Sequence, residues 1–191
     1  MVSMPNIDIN SPVLESFMLE VPSYYDSCWS SIKISASCLR KFIYVGGISE
    51  EFVLSNPSSV LHASINISFV KERTSNDHLP EVGIRASKLL KQLQGAEYME
   101  LKGYAVKVLS HAKDYVINLP MFGKLIYLEL MNKITSFEIM LDLLHKSPIL
   151  NSLVLRGEPS FAKELLVYIL ALTSVPLCLT SFGNKRLGGE V

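Results

Sequence analysis

Along this chain a pattern of the form apolar-x-x-apolar-x-apolar returns, each time after a break containing Pro, Ser, Gly or a polar turn. Its copies are Leu14, Phe17, Leu19; Leu39, Phe42, Tyr44; Val60, Ala63, Ile65; Ala96, Met99, Leu101; Leu125, Leu128, Leu130; and Leu150, Leu153, Leu155. Their starts are separated by 25, 21, 36, 29 and 25 residues. Side chains two apart in an extended chain share a side, so the last two apolar positions predict a strand about two or three residues long with one buried face. The first apolar position predicts the anchor of the turn that leads into the strand. A strand this short is unstable alone, which predicts parallel stacking on the same strand of the next copy, with the return segment covering the inner side. The expected product is a curved α/β solenoid, with short parallel strands on one side and helices or loops on the other.

The return segments differ between the two halves. Val82, Ala86, Leu89, Leu90 and Leu93 fall on one face of a helix, and Phe137, Met140, Leu141 and Leu144 fall on one face of another. Thr135 and Glu138 have capping-box spacing at the start of the second helix, and Ser147-Pro148 closes it. In the amino-terminal half, Ser23 to Ser37 and Gly46 to Ser59 are rich in Ser, Gly, Pro and β-branched residues and predict extra strands and loops. Gly46-Gly47 reads as a tight turn after a strand, and the polar run Lys71 to His78 as an exposed loop. The chain divides into an N-terminal segment (1–10), a repeat domain (11–157), a degenerate C-terminal repeat (158–180) and a mobile tail (181–191).

Charge then narrows the range of partners. Eighteen basic residues balance eighteen acidic ones with no block of either sign, so neither nucleic acid nor an anionic membrane is an expected partner. Cys28, Cys38 and Cys178 match neither a disulfide framework nor a zinc site, which fits a reducing compartment, cytoplasmic or nuclear. No secretory signal opens the chain, so the sequon Asn66-Ile67-Ser68 reads as chance. The apolar run Leu165 to Leu179 is interrupted by Pro176 and falls short of a membrane span. It reads as core.

Candidate chemistry is sparse. His62, His78, His111 and His145 have no metal-ligand spacing, and His111 with Asp114 reads as a solvated polar pair on one helix face. No catalytic residue, cofactor or metal site is expected, and the chain does not read as an enzyme. Trp29, with Tyr24 and Tyr25, reads as edge packing or as an interface anchor.

Several phrases resemble the plant F-box proteins that carry leucine-rich repeats and a carboxyl-terminal FBD region. They are Ser11-Pro12-Val13-Leu14-Glu15-Ser16-Phe17, Cys38-Leu39-Arg40-Lys41-Phe42, residues 51–59, and Ser147-Pro148-Ile149-Leu150-Asn151-Ser152-Leu153-Val154-Leu155. Leu89-Leu90-Lys91-Gln92-Leu93 before Tyr98-Met99-Glu100-Leu101 is similar to the family's helix-then-strand step. The likeness covers the repeat portion only. The family's F-box has no counterpart before Leu14, and its FBD region is missing after Val175-Pro176-Leu177-Cys178-Leu179. The resemblance implies a leucine-rich-repeat solenoid that recognises a protein substrate for a ubiquitin ligase, and a Skp-type adaptor as partner only if an F-box lies upstream. The alternative is a stand-alone or truncated interaction scaffold with no ligase role.

Alternation also points to the surface a protein target would touch. If Leu128 and Leu130 face inward, Tyr127 and Glu129 face outward, and Glu100 and Val154 occupy the matching positions of neighbouring copies. Glu100, Tyr127, Glu129 and Val154 are therefore the expected protein-binding residues.

Overall fold

In the computed structural model, which describes residues 6–21, 31–56, 59–68, 78–131 and 137–156, the last two apolar positions of every copy lie on a strand. In chain order the elements are Ile7–Asn10 (β1), Ser16–Glu20 (β2), Ser31–Ser35 (β3), Lys41–Gly46 (β4), Glu51–Leu54 (β5), His62–Ile67 (β6), Leu79–Lys91 (α1), Tyr98–Gly103 (β7), Ala105–Ser110 (α2), Lys113–Ile117 (α3), Tyr127–Met131 (β8), Phe137–His145 (α4) and Ser152–Arg156 (β9). The six strands that carry the pattern form one parallel sheet in the order β2-β4-β6-β7-β8-β9. The other three form a second parallel sheet, β1-β3-β5. The fold is mixed α/β, and neither sheet closes on itself among the described residues.

The register preserves the pattern through the whole larger sheet. Phe17, Phe42, Ala63, Met99, Leu128 and Leu153 are successive partners, as are Leu19, Tyr44, Ile65, Leu101, Leu130 and Leu155. Both rows face the core, where all but Leu19 are buried. The strands carrying them run five or six residues, longer than the pattern alone predicts. A parallel neighbour supplies backbone hydrogen bonds to polar and apolar positions alike, so extension continues past the apolar pair.

From β4 onward, each strand of the larger sheet starts from the same hydrogen-bonded corner. The Glu15 carbonyl accepts the N–H groups of both Arg40 and Lys41, at 2.8 and 3.0 Å. The Arg40 carbonyl does the same for Leu61 and His62, Leu61 for Glu97 and Tyr98, Glu97 for Ile126 and Tyr127, and Ile126 for Asn151 and Ser152. Just before the corner, the first apolar residue of the pattern closes a turn. The N–H of Leu14, Leu39, Ala96, Leu125 and Leu150 each donates to the carbonyl three residues back. Leu39, Val60, Ala96, Leu125 and Leu150 are buried there.

Two kinds of layer back this sheet. In the amino-terminal half it is the second sheet, whose Ile32, Ile34 and Leu54 are buried. The Phe52 ring of β5 meets Phe42 edge-on at 5.3 Å and Tyr44 at 6.1 Å. Ser-rich and β-branched segments were expected to give extra strands here, and β3 and β5 are those strands. In the carboxyl-terminal half helices take over, burying Leu89 and Leu90 of α1, Val108 and Leu109 of α2, Val116 of α3 and Ile139, Met140 and Leu143 of α4. The two expected helices are α1 and α4, whereas α2 and α3 are too short to show a clear period in sequence. Thr135 lies outside the described residues, as does residue 157 onward, including the Leu165 to Leu179 run. Among the described residues no helix is long and apolar enough to cross a membrane.

Gly46 ends β4 at φ 125° and the chain bends at Gly47, and Gly103 ends β7 at φ 61°. At Gly103 a Cβ would overlap the Ile67 carbonyl oxygen of the preceding strand. Substitution there combines a left-handed backbone with a clash against main chain that cannot move aside.

Two predictions rest on this packing. Leu128→Asp and Leu153→Asp each place an unpaired charge among fully buried neighbours, at a cost of several kcal/mol, and should abolish the cooperative transition in a circular-dichroism melt. Gly103→Ala should lower unfolding free energy by about 2 kcal/mol or more in urea titration.

Candidate binding face

The side of the larger sheet turned away from the core carries its own in-register rows. One runs Lys41, His62, Tyr98, Tyr127 and Ser152 along the start of the strands. The next runs Ile43, Ser64, Glu100, Glu129 and Val154. In the first row the His62 and Tyr98 rings stack at 4.5 Å with planes 7° apart, and Tyr98 stands 6.0 Å from Tyr127. Parallel strands lie roughly 4.8 Å apart, so rings at matching positions reach stacking distance without leaving their strands.

Beside the aromatic row lie two carboxylates with different surroundings. Glu129 is buried, its side chain only 7% exposed, and both of its oxygens are engaged: Arg156 Nε donates to Oε1 at 2.6 Å and the Tyr127 hydroxyl to Oε2 at 2.7 Å. A buried carboxylate without such donors would be strongly disfavoured. Glu100 is more open and accepts from Lys102 Nζ at 2.6 Å. Burial pushes its carboxyl group upward, but hydrogen bonds from Lys102 and Ser64 and the charges of Lys102 and Lys41 outweigh this, leaving the pKa below the ordinary value. Tyr127 is displaced the other way. Desolvation, the hydrogen bond to Glu129 and the negative charges of Glu129 and Glu100 raise its hydroxyl to about 12, against the opposing pull of Arg156.

The four residues expected from alternation do share this face. Glu100, Glu129 and Val154 are successive register partners, and Tyr127 bonds to Glu129. Their expected exposure needs correction, because Glu129 and Val154 are 5% and 4% exposed and are not open contact positions. Alternation fixes the side of the sheet a residue takes, not how far its neighbours cover it. The accessible aromatic positions are instead His62, which is exposed, and Tyr98, at 36%. Sequence reasoning passed over both, although they occupy the same place in their copies as Tyr127, one residue before the middle apolar position.

Other candidates separate in space or fall outside the description. His111 follows α2 and Asp114 lies in the first turn of α3, so they do not share one helix face, and both are exposed. The aromatic group Tyr24, Tyr25 and Trp29 and most of the Lys71 to His78 run lie outside the described residues. Among the described residues no three His, Cys, Asp or Glu side chains group in a way that could hold a metal ion.

No protein-family model, curated protein or solved structure matches the chain. The functional reading therefore rests on this face itself: an aromatic row, accessible at His62 and Tyr98, beside charges held in fixed pairs.

The Tyr127 shift makes an alkaline prediction. An acid whose folded pKa is raised stabilises the fold fully below its unfolded value, about 10, and this contribution disappears as pH climbs through about 12. Urea unfolding at about pH 8 and about pH 11 should show the parent losing more stability than Tyr127→Phe over that interval. Separately, Arg156→Ala leaves the Glu129 carboxylate without its cation and should cost about 1–3 kcal/mol, read at neutral pH by the same titration.

Proposed function

We propose that the chain is a leucine-rich-repeat solenoid that binds a protein target along the outer face of its six-stranded sheet. The observation that carries this reading is the aromatic row His62, Tyr98 and Tyr127 on three adjacent strands, on the side away from the core, with His62 stacked on Tyr98 and Tyr127 tilted beside it. Large, semi-rigid aromatic side chains supply contact area at little entropic cost, and Tyr is enriched among residues that dominate binding energy. The recurrent corner and register support the repeat reading, since each copy adds one strand to a continuous face. Together with the resemblance of the sequence to F-box proteins with leucine-rich repeats, this makes the target a substrate presented to a ubiquitin ligase, whose chemistry is done by other subunits.

A photo-crosslinking residue at Tyr98 should capture a target that the same residue at Asp142, on α4, does not. Against that target the double variant His62→Ala, Tyr98→Ala should bind at least about tenfold more weakly, with a melting temperature nearly unchanged because neither side chain is part of the core. Parent-like affinity of the double variant would refute the assignment of the face.

A further inference from the structure

The second sheet ends at β5, whose one strand neighbour among the described residues is β3. The Ser55 N–H donates to the Ile34 carbonyl across that pair, and backbone groups of successive residues in a strand point to opposite sides. Phe52 and Leu54 therefore direct their C=O and N–H groups toward the unpaired edge. An edge of this kind is a template on which another strand can add.

The side-chain amide of Gln92 sits on that edge. Its Oε1 accepts from the Leu54 N–H at 2.5 Å, and its Nε2 donates to the Phe52 carbonyl. In a parallel pair, one residue of the added strand bonds the C=O before and the N–H after a residue of the existing strand. Gln92 makes those two bonds around Val53 with a single primary amide. Its position is fixed by the helix, because Gln92 caps the carboxyl end of α1, where its own N–H bonds the Leu89 carbonyl and the next N–H, of Leu93, bonds Leu90, and α1 packs against β5. The amide thus imitates a strand residue at the point where the backing layer changes from sheet to helix.

We propose that Gln92 is an edge cap, a side chain that terminates the second sheet and keeps β5 from pairing with β5 of a second copy of the chain. The chemistry demands both a donor and an acceptor at the reach of a glutamine. Glutamate supplies only the acceptor when ionised, and methionine supplies no donor and only a weak sulfur acceptor while keeping length and helix preference.

The test uses the full chain and two variants. In Gln92→Met, hydrogen exchange at the Leu54 amide at low protein concentration should accelerate about tenfold or more, the loss expected for two hydrogen bonds. Sedimentation should show self-association at concentrations where the parent sediments unchanged. Gln92→Glu guards against a folding failure of the first variant. It should associate at neutral pH and revert on mild acidification, when the protonated carboxyl regains a donor for Phe52. Leu54 exchange at the parent rate in Gln92→Met would overturn the bridge. Faster exchange without self-association would overturn the guarding role, and so would association of Gln92→Glu that acid does not reverse.

Discussion

The carbonyl oxygen shared by two consecutive N–H groups at the start of each strand of the larger sheet after the first is the contact on which the rest of the fold depends. It fixes where a strand begins relative to the one before it, at Glu15, Arg40, Leu61, Glu97 and Ile126 in turn. Because the side-chain period of a strand is two, a slip of one residue would turn every core side chain outward. A corner built from backbone atoms holds the register whatever side chains follow. Phe, Ala, Met and Leu can then share one buried row, and His and Tyr another on the opposite face.

With register held in this way, the backing layer is free to change along the chain. Where return segments are Ser-rich and β-branched, they add strands of their own, and Phe52 closes against Phe42 and Tyr44. Where they carry helical periodicity, α1, α2, α3 and α4 supply the apolar cover. The same inner rows of the larger sheet accept either kind. Burial of apolar surface is non-directional and asks only for complementary volume. The change of layer leaves β5 at the edge of its sheet among the described residues, and the Gln92 amide meets that edge.

On the outer face, the same register that brings rings together also brings carboxylates together. Glu100 and Glu129 are partners across β7 and β8, a like-charge arrangement that is destabilising when unneutralised. Lys102 and Arg156 answer them from neighbouring positions. Tyr127 links the two features, being part of the aromatic row and a donor to Glu129, so the raised pKa of its hydroxyl reflects its place between them. The two carboxylates are therefore internally satisfied, and the rings of His62 and Tyr98 stay accessible.

The sequence by itself determined the inner rows, since spacing of apolar residues and the period of a strand suffice to say which side chains turn to the core. It also determined α1 and α4, whose apolar faces are long enough to show a helical period, and the placement of Glu100, Tyr127, Glu129 and Val154 on one side of a sheet. Tertiary structure alone decided what depends on neighbours from other copies. Strand length came from hydrogen bonds offered by adjacent strands, and α2 and α3, too short to leave a periodic trace, from packing against α1 and α4. The burial of Glu129 and Val154, and the stacking of His62 on Tyr98, came from cross-strand contacts between residues far apart in the chain. Periodicity records which way a side chain points, whereas exposure and pairing are set by what stands beside it, and that is fixed only when the strands are brought into register.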